Sequence, residues 1–182
     1  MKKEIADLEV AYDSCIASGM IKEKSVDIEL IKSLKVVSED GLNFIKKVST
    51  GIPKDSTDWT FVFREYYESL RGLIKAYLLF DGIETDNHQC NNAYLCLKHP
   101  ELEADWEFLE MSETFTVSEH AQEPPQCYKL LAVLDTIRLK RNAVNYRGVL
   151  LKYDDWSLFK MKFELYISLM KKKVEEKLAK ND

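Results

Sequence analysis

Chain breakers are few in this sequence, with six glycines and four prolines among 182 residues. A turn-rich all-β fold needs more of both, so their scarcity argues for long helices. Long apolar runs are missing too. None approaches the roughly 20 residues that span a bilayer, and the opening Met1-Lys-Lys-Glu-Ile-Ala-Asp has no apolar core of the kind a signal peptide needs. A cytoplasmic location away from any membrane is the expectation. Cysteine is sparse as well. Cys15, Cys90, Cys96 and Cys127 form no CxxC pair, so reduced thiols are expected rather than a disulfide framework. No Gly-rich phosphate loop, nucleophile elbow or HExxH occurs, which leaves no signature of the common nucleotidase, hydrolase or zinc-protease sites. A basic excess is also lacking. The net charge is −5, which by itself does not advertise nucleic-acid binding.

What is present is ordinary for a globular protein: 46% hydrophobic and 31% charged residues. The length fits one domain over 1–182, with a helical pair over 1–52 preceding a core bundle over 53–182. Apolar residues recur at helical spacing. Ile5, Leu8, Tyr12, Cys15 and Ile16 predict a helix over 4–18, with Gly19 as its stop. Ile31, Leu34, Val37, Leu42 and Ile45 predict a second over 28–48, capped by Ser25 or Asp27. Trp59, Phe63, Tyr66, Leu70, Leu73, Ile74 and Tyr77 predict a strong central helix over 58–80. Gly72 inside it costs roughly 1 kcal/mol relative to Ala, which the close approach of a neighbouring helix would offset. Further helices are predicted over 88–98, capped by Asp86 or Asn87, then over 101–111, 126–147 and 154–180. No strand stands out. The fold class is all-α, an up-and-down bundle.

Charge is unevenly placed. Positions 101–123 hold eight acidic residues and no Lys or Arg, whereas 138–152 hold five basic residues and no acid. An acidic protein with one basic stretch is able to present a local anion site. Within that stretch Arg138, Arg141, Asn142 and Asn145 fall at i, i+3, i+4 and i+7, one polar stripe of the 126–147 helix, with Tyr146 beside it. Guanidinium forks suit phosphate, amides donate and accept, and a phenol stacks. The plainer reading is a solvated basic helix end that complements the helix dipole, although two Asn residues there go against helix propensity.

The hexapeptide Arg141-Asn-Ala-Val-Asn-Tyr146 resembles the motif of the HEPN family, an Arg, a polar residue, three further residues and a His, with Tyr146 in the His place. The likeness extends to Phe63-Arg-Glu-Tyr-Tyr-Glu-Ser-Leu-Arg-Gly-Leu-Ile-Lys-Ala-Tyr-Leu-Leu-Phe-Asp-Gly82, similar to the family's central helix, and to Asn87-His-Gln-Cys-Asn-Asn-Ala-Tyr-Leu95, similar to the start of the next. The resemblance implies a HEPN-type bundle with an N-terminal helical extension. It also implies a homodimer whose motif helices meet at a cleft that takes RNA or a nucleotide, without a metal or cofactor. Arg141, Asn142 and Tyr146 then stand at the catalytic positions, and Arg138, Asn145, Arg147 and Glu68 bind ligand. Many such proteins are metal-independent endoribonucleases, often toxins paired with a nucleotidyltransferase-type antitoxin; others only bind or assemble. Histidine accepts and returns a proton near neutral pH, whereas a phenol of ordinary pKa about 10 is a poor base. Tyr146 therefore points to binding with weak or absent cleavage, and active endoribonuclease is the alternative.

Other residues invite weaker readings. His88, Cys90, Cys96 and His99 suggest zinc chemistry, but Cys90 and Cys96 lie six apart on different helix faces, and core cysteines are the commoner case. Glu65, Glu68 and Arg71 suggest a solvated face with a Glu68–Arg71 ion pair, from which one side chain reaches Arg141 or Arg138. His120 reads as incidental, and Lys171-Lys-Lys173 as a solvated helix face.

Overall fold

The computed structural model describes residues 5–102 and 128–181. Its elements are α1 (Ile5–Ala17), β1 (Lys22–Glu23), α2 (Ile28–Ser49), α3 (Trp59–Leu79), β2 (Ile83–Glu84), α4 (His88–Lys98), α5 (Tyr128–Arg147) and α6 (Tyr153–Leu178). The all-α class is thus observed. The helix expected over 101–111 and His120 fall largely or wholly outside the described residues. Two short strands, β1 and β2, pair where no strand was expected. Elements of two residues are too short for alternation to reveal them.

The chain divides into two compact units, 1–22 with 85–136 and 23–84 with 137–182. In the first, α1 lies against α4. Asn87 caps α4 as its side chain accepts from the Gln89 and Cys90 amides at 2.9 and 3.2 Å. Tyr12 meets Tyr94 with ring centroids 6.1 Å apart, and Lys98 Nζ lies 5.0 Å from the Tyr12 ring centroid. The expectation of reduced thiols fails here: Cys15 of α1 and Cys90 of α4 form a disulfide across 75 residues of sequence. Spacing rules detect close cysteine pairs, and nothing local marks two cysteines brought together by helix packing. Cys96 is buried and takes no part in the disulfide.

In the second unit α3 is the central helix, with α2 and α6 both packed along it. Trp59, Phe63, Tyr66, Leu70, Leu73, Ile74 and Tyr77 are all buried, as their spacing predicts. Phe63 stands edge-on to Phe159 and Phe163 with centroids 5.4 and 5.3 Å away, and Tyr66 meets Trp156 at 4.6 Å. Such pairs contribute about 0.5–1.5 kcal/mol each beyond their buried area. On α2, Ile31, Leu42 and Ile45 are buried, but Val37 is exposed, because small residues rather than large ones face α3 nearby. Gly72 abuts Ser38, and a Cβ built there would overlap the Ser38 Oγ. The close helix approach expected at Gly72 is therefore present. Ion pairs add a link between α2 and α6. Lys35 Nζ reaches Glu39 and Glu175 at 2.9 and 3.1 Å, and Lys171 Nζ reaches Glu39 at 3.0 Å.

Candidate anion-binding site

Helix α5 ends where its sequence says it should. Gly148 follows Arg147 with φ of 65°, a conformation that costs other residues dearly, and Val149 N–H donates to the Ala143 carbonyl at 3.3 Å. The chain is then pinned to the start of α3. Leu151 N–H donates to Thr60 Oγ1 at 2.7 Å, and Tyr153 N–H donates to the Lys54 carbonyl at 3.1 Å. Ile137 and Val144 bury the inner face of α5. With that face fixed, Arg141 projects toward the polar side of α3.

Arg141 is held on several sides. Its guanidinium carbon lies 5.5 Å from the Tyr67 ring centroid and 5.7 Å from that of Tyr146, within cation–π range of both. Nη2 donates to Glu68 Oε1 at 3.3 Å. Nη1 donates to the Tyr146 hydroxyl at 3.3 Å and to Asn142 Oδ1 at 3.5 Å. Nε–H is buried and, among the described residues, has no acceptor. The Arg141 side chain is only 12% exposed. Burial opposes its charge, but the Tyr146 hydroxyl and Glu68 more than compensate, so its pKa is raised and it stays cationic.

Glu68 bridges two helices. Its second oxygen, Oε2, accepts from Arg71 Nη1 at 3.1 Å, so the expected Glu68–Arg71 pair forms and the same carboxylate also reaches Arg141. The Tyr67 hydroxyl feels Arg141, Glu68, Arg71 and Arg138 together. Burial is the largest influence on that phenol and, with Glu68, outweighs the three guanidiniums, so its pKa is pushed up to about 12. Tyr67 therefore remains a hydroxyl donor throughout the neutral range. The Arg141, Arg71 and Arg138 guanidiniums and the Glu68 carboxylate thus all act on one phenol, and guanidinium groups suit an anion.

Of the residues singled out from sequence, Arg141, Asn142, Tyr146 and Glu68 are brought together, and Arg138 lies within electrostatic range of Tyr67. Asn145 and Arg147 are exposed at the helix end. Tyr67 and the second guanidinium, Arg71, were not assigned to the site by pattern. The available signal was the run Tyr67-Glu68 followed by Arg71 at i, i+1 and i+4, which places an aromatic and an ion pair beside the buried stripe. Among the described residues, no group of three or more His, Cys, Asp or Glu is arranged to hold a metal ion. Cys90 is committed to its disulfide, and His99 Nδ1 lies 2.9 Å from Glu101 Oε1. No described helix is long and apolar enough to cross a membrane. Comparison with protein-family models, curated proteins and solved structures finds no match to this chain.

Proposed function

We propose that this chain is a HEPN-type protein that binds RNA or a nucleotide through phosphate at Arg141, with weak or absent cleavage. The observation that carries this reading is the state of the Arg141 fork. Its guanidinium lies within cation–π range of two aromatic rings, yet its buried Nε–H lacks an acceptor among the described residues. A buried donor without a partner costs roughly 1–3 kcal/mol, and a phosphate oxygen is a natural acceptor for it. Asn142 and Tyr146 adjoin the same guanidinium, so an amide and a stacking face are close at hand for a base or ribose. Arg138, Asn145 and Arg147 on the same helix add backbone contacts along a strand in this reading. A nucleotidyltransferase-type partner belongs to it as well, as the resemblance implies.

A second copy of the chain is the partner favoured for α5. Leu139 and Tyr146, seven residues apart on one face, are 57% and 76% exposed, and apolar side chains in that position gain by being covered. One experiment addresses both parts. A fluorescent single-stranded oligoribonucleotide is titrated with protein in EDTA, over a salt series, and the complex is sized by sedimentation. Wild type should bind with an affinity that falls as salt rises, leave the RNA intact and sediment as a dimer, while Arg141→Ala should bind at least about tenfold more weakly. Equal binding by Arg141→Ala, or efficient cleavage by wild type, would contradict the proposal.

A further inference from the structure

The Glu68 carboxylate occupies the place where an anionic ligand would sit, and how it sits there bears on which anion could replace it. It rests between Arg71 of α3 and Arg141 of α5, giving one oxygen to each, at 3.1 and 3.3 Å. Its hold on Arg141 is incomplete. The Nε and Nη2 atoms form one edge of the guanidinium fork, and Glu68 uses Nη2 while Nε stays without an acceptor. The two ends of this contact also differ in freedom. The Arg141 side chain is 12% exposed, whereas that of Glu68 is 41% exposed. The carboxylate is the member able to swing into solvent.

Resting on the reading of Arg141 as a phosphate site, we propose that Glu68 is an internal stand-in for phosphate that makes the site select a terminal phosphomonoester over the phosphodiesters of an RNA strand. Displacement of a tethered carboxylate is a competition. The tether gives Glu68 an effective concentration on the order of mM or above, so a ligand must offer something more than a carboxylate does. A phosphodiester brings one negative charge and two free oxygens, the same as Glu68. A phosphomonoester carries close to two charges at neutral pH and three acceptor oxygens. It can satisfy both positions on the Arg141 edge and still reach Arg71, with the Tyr67 hydroxyl and Arg138 close by. The extra charge and extra oxygen favour the exchange, and Glu68 sets a threshold that a diester crosses less readily than a monoester. The ligand class is a nucleoside monophosphate or a phosphorylated RNA end.

The test compares one short oligoribonucleotide sequence carrying a phosphate at its 5′ end, at its 3′ end, or at neither, by fluorescence anisotropy with the full-length protein. For wild type, at least one phosphorylated form should bind about tenfold tighter than the hydroxyl-ended form, equivalent to ~1.4 kcal/mol. Glu68→Gln keeps the side-chain length and removes the charge. It should raise the affinity of the hydroxyl-ended strand and shrink that preference to about twofold or less, while Glu65→Gln, a control for charge alone, should leave the ratio as it was. Arg141→Ala should weaken all three ligands. Equal wild-type affinity for all three, with Arg141→Ala still weaker, overturns the selection by Glu68 and leaves the phosphate site standing. A weaker hydroxyl-ended complex in Glu68→Gln would also overturn it, because Glu68 would then be aiding the ligand. No effect of Arg141→Ala sinks both readings. The wild-type comparison requires no variant, so a failure of Glu68→Gln to fold does not protect the proposal.

Discussion

Gly72→Ala tests the placement of α2 on α3. On helix propensity alone the substitution should stabilise the protein by about 1 kcal/mol. The structure predicts the opposite sign. The new Cβ would overlap the Ser38 Oγ, which donates to the Leu34 carbonyl at 2.7 Å in a site where Ser38 is 6% exposed. Relief requires Ser38 to rotate and lose that bond, or the helices to part, at a cost of roughly 1–3 kcal/mol. The net result is destabilisation of about 1 kcal/mol after the propensity gain is subtracted. Ser38→Ala removes the clashing oxygen and leaves the Ser38 Cβ 3.5 Å from the new methyl, an ordinary contact. In that background Gly72→Ala should stabilise by up to about 1 kcal/mol, giving a coupling of about 2 kcal/mol across the cycle. Urea unfolding followed by far-ultraviolet circular dichroism measures all four proteins. A stabilising Gly72→Ala with Ser38 in place would refute the close approach.

Two further predictions concern links between helices. Thiol titration in denaturant without reductant should find two fewer reactive thiols than in the reduced chain, and reduction should destabilise the unit holding α1 and α4 by up to about 4 kcal/mol, from closure of a loop spanning 75 residues; an unchanged thiol count would rule out the Cys15–Cys90 bond. For Glu39, burial raises the pKa, but hydrogen bonds and charges from Lys35 and Lys171 prevail and leave it lowered. A lowered folded pKa gives stability that is present above the ordinary carboxylate range and is lost as pH falls through the folded value. Glu39→Gln should therefore unfold at lower urea than wild type at pH 7, and the two should converge in acid. A gap that persists unchanged at the lowest pH would point to packing rather than charge.

The helices were largely legible because each carries its own evidence. Asp27 and Asn87 mark helix starts through side-chain acceptors, Gly148 marks an end, and the α3 stripe names its own buried face. These signals are local, with periods and caps spanning a few residues. What escaped was non-local. The Cys15–Cys90 pair, the β1–β2 pairing and the exposure of Val37 all depend on which element lies next to which. The site divides in the same way. Arg141, Asn142 and Tyr146 share a single helix end and could be read together, and Glu68 was within reach as a helix neighbour. Arg71 was legible as the ion-pair partner of Glu68, whereas Tyr67 entered only with α3 opposite α5, because contacts between two helices leave no periodic trace.

The proposed preference for binding over cleavage can be argued from geometry as well as from residue type. A base for the 2′-hydroxyl of RNA must offer a lone pair to the incoming proton. The Tyr146 oxygen already accepts from the Arg141 guanidinium, so its electron density is directed at a cation. The Tyr67 phenol, pushed up to about 12, stays protonated and acts as a donor. The Glu68 carboxylate is shared between two guanidiniums. Among the described residues around Arg141, then, positive charge and hydrogen-bond donors predominate, and each candidate proton acceptor is already engaged. Such a cluster can hold phosphate charge, a task that requires fixed donors. Among the described residues it shows no group poised to take a proton, a task that requires a titrating partner near neutral pH. The physical asymmetry between holding charge and moving protons is what puts the binding reading ahead of the nuclease reading for this chain.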